Sequence, residues 1–230
     1  MNARKSWYPR ARITVLVGHF GSGKTEIALN SALAIKRSGE EVTLVDLDIV
    51  NPYFRSAVHK EALESKGVEV ITPTFALSSV DIPALSNRIQ SVFVDKTRRV
   101  VFDVGGDETG AVALGRYKPF FEQDDYDALF VVNAYRPMSE TADEVMTLMR
   151  LVESRARLKI SGLVHNSNIA HVTMPEDVTR GARVIDEASR LSGVPVVAVA
   201  GMPRVLKGMK GNLPPTIELE RLMKPEWMEG

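Results

Sequence analysis

The chain has 230 residues, 44% of them hydrophobic and 25% charged, with 29 basic side chains set against 29 acidic ones. That is enough chain to bury one substantial core, and a net charge of zero argues against a nucleic-acid binder, so DNA is not an expected partner. The lack of any cysteine excludes disulfides, thiol chemistry, iron–sulfur clusters and cysteine-ligated zinc.

The opening, MNARKSWYPRAR, is a basic arm over 1–11 with no apolar stretch of signal-peptide type behind it. No apolar run approaches the roughly 20 residues that span a bilayer. Both features predict a cytoplasmic protein without a membrane partner. Short β-branched runs then alternate with amphipathic stretches. Strands are predicted at Ile13–Val17, Val42–Val45, Val68–Ile71, Val100–Phe102, Ala128–Val132, Ile160–Val164 and Val194–Val199. Several are apolar throughout, as strands buried on both faces of a parallel sheet must be. Helices are predicted at Thr25–Ser38, closed by Gly39; at Ser139–Glu153; and at Thr173–Leu191, opened by Thr173 with Glu176 as a capping box. The tail over 208–230 is rich in Gly and Pro and holds one short helical candidate, Thr216–Met223. Strands alternating with helices predict an α/β three-layer sandwich, a mostly parallel sheet of about seven strands with helices on both faces, in a single domain over 1–230.

Gly18-His19-Phe20-Gly21-Ser22-Gly23-Lys24-Thr25 satisfies G-x-x-x-x-G-K-[ST] between the first strand and the first helix, the setting of a phosphate-binding loop. Glycines let backbone N–H groups turn inward around an anion, and the helix N-terminus faces the same charge. Lys24 is the candidate for the β/γ-phosphate oxygens and the Thr25 hydroxyl for Mg²⁺, with Glu26 next in the first helical turn. The G-x-G-x-x-G turn of a dinucleotide fold is not met by this glycine spacing.

Two strands end in acids. Val45-Asp46-Leu47-Asp48 offers a carboxylate at the crevice, able to orient a water or a Mg²⁺-bound water, with Arg55 a candidate partner for either acid. Val100-Val101-Phe102-Asp103-Val104-Gly105-Gly106 has the form of a Walker B strand. Asp103 would hold Mg²⁺ through water, and the Gly106 amide would bond the γ-phosphate and move when it leaves. Asp107 and Glu108 read as solvated turn residues, with orienting a water as the alternative. Tyr53 and Phe54 are candidates for a pocket or for helix packing, and His59 for a helix surface. Arg204, Lys207 and Lys210 form a small basic cluster besides Arg4, Lys5, Arg10 and Arg12.

Together these residues resemble the MinD/ParA/Mrp group of P-loop ATPases, the CobQ/CobB/MinD/ParA nucleotide-binding type within the SIMIBI-like P-loop NTPases. GHFGSGKTEIALNSALAIKRSGEEVTLVDLDIVNP is similar to that family's opening block, Asn30 and Gly39 included, and FDVGG to its Walker B and switch II. Gly162-Leu163-Val164-His165-Asn166 is similar to its late strand ending in an adenine-contacting Asn, and Pro203 stands where its base-flanking loop begins. The resemblance implies ATP and Mg²⁺ as ligands. It implies Lys24 and Asp48 as catalytic residues, Asp48 positioning the attacking water, and Thr25, Asp48 and Asp103 as the Mg²⁺ set. It further implies a nucleotide site formed by Gly18 to Glu26, Gly106, Asn166 and Pro203, with the Walker A and Walker B strands as neighbours. His165 and His171 flank this site.

Asn166-Ser167-Asn168-Ile169 lacks the Asp that reads guanine, which favours ATP. The family's signature lysine, which reaches across a dimer, is replaced by His19, with Phe20 next to it. The implied function is a nucleotide-dependent switch acting through a homodimer or a partner protein. The alternatives are an ATP-dependent phosphotransferase or ligase resembling dethiobiotin synthetase, which also lacks that lysine, and a DNA-associated partition-type regulator. The net-acidic tail does not resemble a basic membrane-targeting helix, and Ile217, Leu219, Leu222, Met223 and Trp227 are expected to pack on the domain or a partner.

Overall fold

The apolar runs form strands with no exposed face. In β1 (Ile13–Val17) every residue is buried, and so are all those of β2 (Val42–Leu47). A computed structural model describes residues 5–48, 60–72 and 81–222, with the backbone alone for 81–86. Its sheet adds β3 (Glu69–Ile71), β4 (Arg99–Val104), β5 (Tyr126–Val132), β6 (Gly162–His165), β7 (Val196–Gly201) and β8 (Thr216–Glu218). The order is β3-β2-β4-β1-β5-β6-β7-β8, and every neighbouring pair is parallel. The sheet therefore holds eight strands among the described residues rather than about seven. β1 and β4, which carry the phosphate loop and the second acid, lie side by side with Leu16 opposite Asp103. This is the adjacency expected of Walker A and Walker B strands.

The two faces bury different cores because successive side chains alternate. Ile13, Val15 and Val17 join Phe102, Phe130 and the helices α3 (Asp81–Val94), α4 (Glu108–Gly115), α6 (Ala142–Ala156) and α7 (Pro175–Ser192). Phe121 of the short α5 (Lys118–Phe121) fills the same layer. Leu16, Leu44, Val101 and Leu129 face the other way, onto α1 (Lys24–Arg37) and onto Leu63 of α2 (Lys60–Glu64). The result is the three-layer α/β sandwich that the alternating pattern predicts.

Local chemistry sets the helix ends. Thr141 and Glu144 form the capping box of α6, so that helix begins three residues later than its apolar stripe suggests. For α7 the expected cap shifts by one. Thr173 spends its hydroxyl on Ala170 O and Ile169 N, Met174 is the N-cap, and Asp177 rather than Glu176 reaches back to the Met174 amide at 2.9 Å. Pro175 at the first helical position dictates this register, since it needs no amide partner there.

The helix expected at Thr216–Met223 does not form, because Thr216–Glu218 is strand β8, beside β7. Its pattern has period two, with Ile217 and Leu219 buried and Glu218 and Glu220 exposed. The N-terminal arm lies along it, Trp7 N donating to Thr216 O and Thr216 N to Lys5 O, both at 2.9 Å. Arg12 does not belong to a free basic arm. It pairs with the Asp124 carboxylate and donates to the carbonyls of Val92, Asp95 and Arg98. Tyr53, Phe54, Arg55, His59 and the tail beyond Leu222, with Met223 and Trp227, lie outside the described residues.

Candidate nucleotide site

The sheet order reverses around β1, since the chain builds β2 and β3 on one side and β5 to β8 on the other. The carboxyl ends at such a point are where α/β sheets form their crevice. Residues 18–23 leave β1 there and run directly into α1. Gly18, Gly21 and Gly23 have φ of 144°, 73° and 91°, in the range that side-chain-bearing residues avoid. Gly23 is also needed for space, because a Cβ there would stand 2.2 Å from Asn166 Nδ2.

Lys24 is 7% exposed, and its Nζ donates to His19 O at 3.0 Å, folding the side chain back over its own loop. Burial pulls its ammonium below the usual value, while Asp103, Asp48 and Asp107 draw it back up. Asp103 is 2% exposed. Burial pushes its carboxyl up to about 6, against a hydrogen bond from Thr25 and the charge of Lys24, with Asp48 adding to the rise. Asp46 lies opposite Asp103 across β2 and β4, is fully buried, and accepts the Asp48 amide at 2.8 Å. That bond directs the turn that carries Asp48 towards the loop. Asp48 Oδ1 is 3.3 Å from where a Cβ of Gly105 would be. Gly106 lies directly against the phosphate loop, its virtual Cβ 2.6 Å from Phe20 N and 3.0 Å from His19 C. Asp107 caps α4 by accepting the Gly110 amide at 2.9 Å, and Glu108 pairs with Arg155, so both have the structural roles their turn position suggests.

A cavity of about 690 Å³ opens over the loop, within the range of small-molecule sites. Its phosphate end is lined by His19, Phe20, Gly21, Gly23, Lys24, Thr25, Glu26, Asp48 and Gly106. Its far end is lined by Asn166, Ser167, Asn168, His171, Gly201, Met202, Val205, Leu219 and Arg221. Gly18, Ser22, Asp103 and Pro203 are not on its wall. Ser22 is buried, its Oγ 3.3 Å from where a Cβ of Gly18 would be; Asp103 is hydrogen-bonded to Thr25, and Pro203 begins the short helix α8 (Pro203–Gly208) between the lining residues Met202 and Val205. Asn166, 2% exposed, donates from Nδ2 to Ser22 O at 2.7 Å, tying the end of β6 to the phosphate loop. His165 is buried beside α7, where desolvation brings its pKa down to about 4, and it does not reach the cavity.

Two lining segments escape the sequence motifs. Arg136 and Pro137 come from the turn after β5, and Arg136 Nε donates to Gly21 O at 3.1 Å. Leu219 and Arg221 come from the segment after β8. Asn30 holds that segment in place: its Oδ1 accepts the Glu220 amide at 2.8 Å and its Nδ2 donates to Glu220 O at 3.0 Å. The Leu222 amide donates to the Glu26 carboxylate. A signal for Arg136 exists in the sequence, since every loop after a parallel strand opens on the same crevice.

Thr25, Asp48 and Asp103 fit a Mg²⁺ ion. Asp103 is a buried carboxylate whose raised pKa marks charge that its neighbours do not fully compensate. Among the described residues no group of three or more His, Cys, Asp and Glu side chains forms a cage. None of the described helices is long and apolar enough to cross a membrane.

No protein-family model matches the chain, and no curated protein matches it in sequence. Solved structures match in fold. FtsY from Mycoplasma mycoides superposes with a TM-score of 0.52 at 16% identity, covering 86% of this chain and 62% of that one. The signal recognition particle 54 kDa protein from Aeropyrum pernix K1, in complex with GDP, gives 0.55 at 20% identity, covering 91% and 44%. The cell division protein FtsY from Thermotoga maritima gives 0.53 at 15%, covering 91% and 68%. This chain thus spans less than two thirds of the length of the first two. At these identities the likeness is one of architecture: the chain shares the parallel α/β fold of these structures.

Proposed function

We propose that this chain binds Mg²⁺-ATP and hydrolyses it slowly, as a nucleotide-dependent switch of the MinD/ParA type acting on a partner protein or a second copy. The observation that carries the reading is one arrangement: Lys24, Thr25, Asp48 and Gly106 ring the phosphate end of a single cavity, with Asp103 hydrogen-bonded behind Thr25. In this reading the loop amides and Lys24 neutralise the β/γ-phosphates. Lys24 exchanges the His19 carbonyl for phosphate oxygens. Asp48 orients the attacking water in line. Bound Mg²⁺, held by Thr25 and, through water, by Asp48 and Asp103, would spread the charge that develops on the phosphates. Gly106, with no side chain between its amide and the loop, senses whether the last phosphate is present.

ATP is favoured over GTP by the far end of the cavity. Asn166, Ser167 and Asn168 line it, and a carboxylate to accept the guanine N1 and N2 hydrogens is absent from that stretch. The lining carboxylates among the described residues are Glu26, which accepts the Leu222 amide, and Asp48 at the phosphate end. Calorimetric titration with Mg²⁺-ATP, Mg²⁺-GTP and the Lys24→Ala variant tests the assignment. The expected result is ATP preferred by about tenfold or more, equivalent to about 1.4 kcal/mol, and no measurable binding by the variant. Equal affinities for wild type and variant would remove the phosphate-loop assignment, and a GTP preference would remove the choice of base.

One observation favours a second reading, a phosphotransferase. A smaller cavity of about 270 Å³ lies across the loop, lined by His19, Phe20, Gly106, Asp107 and apolar residues of α4 and α6. It is room for a small acceptor beside the terminal phosphate. Light scattering of the Asp48→Asn variant bears on the choice: a mass that rises with saturating ATP supports a switch through a second copy, and one indifferent to ATP counts against that form of the switch.

A further inference from the structure

The loop position of the family's signature lysine holds His19, and the structure brings a different cation to the phosphate loop. Arg136 stands after β5 on a turn that is closely tied. Arg136 N donates to Asn133 O at 3.0 Å and Ser139 N to Arg136 O at 3.1 Å. The fully buried Asn133 accepts the amides of Tyr135 and Asn168 and donates to Asn168 O. From this anchored turn the side chain reaches Gly21, and Nε donates to the Gly21 carbonyl at 3.1 Å. Gly21 admits it closely, since a Cβ there would lie 3.2 Å from Nε. Arg136 pairs with no carboxylate among the described residues, and it lines the cavity beside Gly21.

We infer that Arg136 is a second phosphate-binding cation, supplied by the same chain, whose terminal nitrogens donate to the phosphate oxygens of a bound nucleoside triphosphate while Nε stays on the Gly21 carbonyl. The inference rests on the nucleotide reading above and deepens it. A guanidinium suits the task because one edge can hold a carbonyl while the terminal N–H groups face an anion, in a planar fork that an ammonium lacks. It stays charged throughout the working pH range, where an imidazole does not. The chain then needs no charge from a partner subunit to favour a triphosphate.

The test measures affinities of the wild-type chain, Arg136→Ala and Arg136→Lys for ATP, AMP and inorganic tripolyphosphate by calorimetry in Mg²⁺ buffer. Thermal melting of each variant without ligand checks the fold. Because the side chain is exposed and anchored only through Nε, both variants are expected to melt with the wild type. Arg136→Ala should lose at least roughly tenfold in affinity for ATP and for tripolyphosphate, while AMP affinity stays within about twofold. Arg136→Lys should recover only part of the loss. A ratio of ATP to AMP affinity in Arg136→Ala equal to that of the wild type overturns the inference and leaves the nucleotide reading standing. A parallel loss for ATP and AMP also overturns it, since that is the mark of a merely structural role. A wild-type chain that binds none of the three overturns both.

Discussion

Replacing Asp103 by Asn should stabilise the ligand-free protein and abolish its response to Mg²⁺-nucleotide. The Asp103 carboxyl is buried, and its pKa is raised from 3.8 to about 6. A folded-state value above the unfolded one means that ionisation opposes folding. The cost is nearly absent at about pH 4, grows up to about pH 6 and is fully present above that. A shift of about two units corresponds to about 3 kcal/mol at pH 8, and to about half of that at pH 5. That figure already nets the attraction of Lys24 against burial. Asn keeps an oxygen to accept the Thr25 hydroxyl, so the hydrogen bond survives the change. For a chain of this length about 3 kcal/mol corresponds to a rise in Tm of roughly 6–12 °C. Circular dichroism melts of both proteins at pH 5 and pH 8 would read it, with the gap widening as pH rises. Saturating Mg²⁺-ATP should reverse the order: at about 1,000 times Kd the wild type gains about 4.1 kcal/mol, and the variant gains little. If Asp103→Asn melts at or below the wild type at pH 8 without ligand, the buried carboxylate is an asset to the fold and the charge argument fails.

The geometry carries three further expectations. Asp48→Asn should slow single-turnover ATP hydrolysis by about 100-fold or more with affinity within a few-fold, as expected for loss of a water-orienting group; a wild-type rate would assign the acid elsewhere. Gly106→Ala should abolish nucleotide binding without a large loss of Tm, because the added methyl would meet the Phe20 backbone at 2.6 Å and must displace the phosphate loop; unchanged titration curves would show that this approach is not needed. Asn30→Ala should cost about 1–3 kcal/mol in urea unfolding by breaking both bonds to the Glu220 backbone. It should also expose the tail after β8 to limited proteolysis, and a tail as protected as in the wild type would remove the clamp.

The sequence by itself determines the architecture and the conformation of the glycine loop after β1. Strands such as Ile13–Val17 are apolar at every position but Thr14, and they bury every residue, which only a sheet covered on both faces allows. The glycine spacing from Gly18 to Gly23 carries its geometry in the residue types, since each positive φ needs a residue without a side chain. Local reading fails where the deciding partner is distant. Thr216 to Met223 has the composition of a short helix, but the free edge of β7 takes its first residues as a strand, and the Asn30 side chain, 190 positions from Glu220, holds the segment beyond β8. Arg12 reads as part of a basic arm until Asp124 pairs with it. Arg136 belongs to no motif, because its meaning lies in a carbonyl 115 positions earlier in the chain. Hydrogen-bond and charge partners of this kind are brought together by strand order, and strand order is decided by how whole elements pack rather than by the pattern within any one of them.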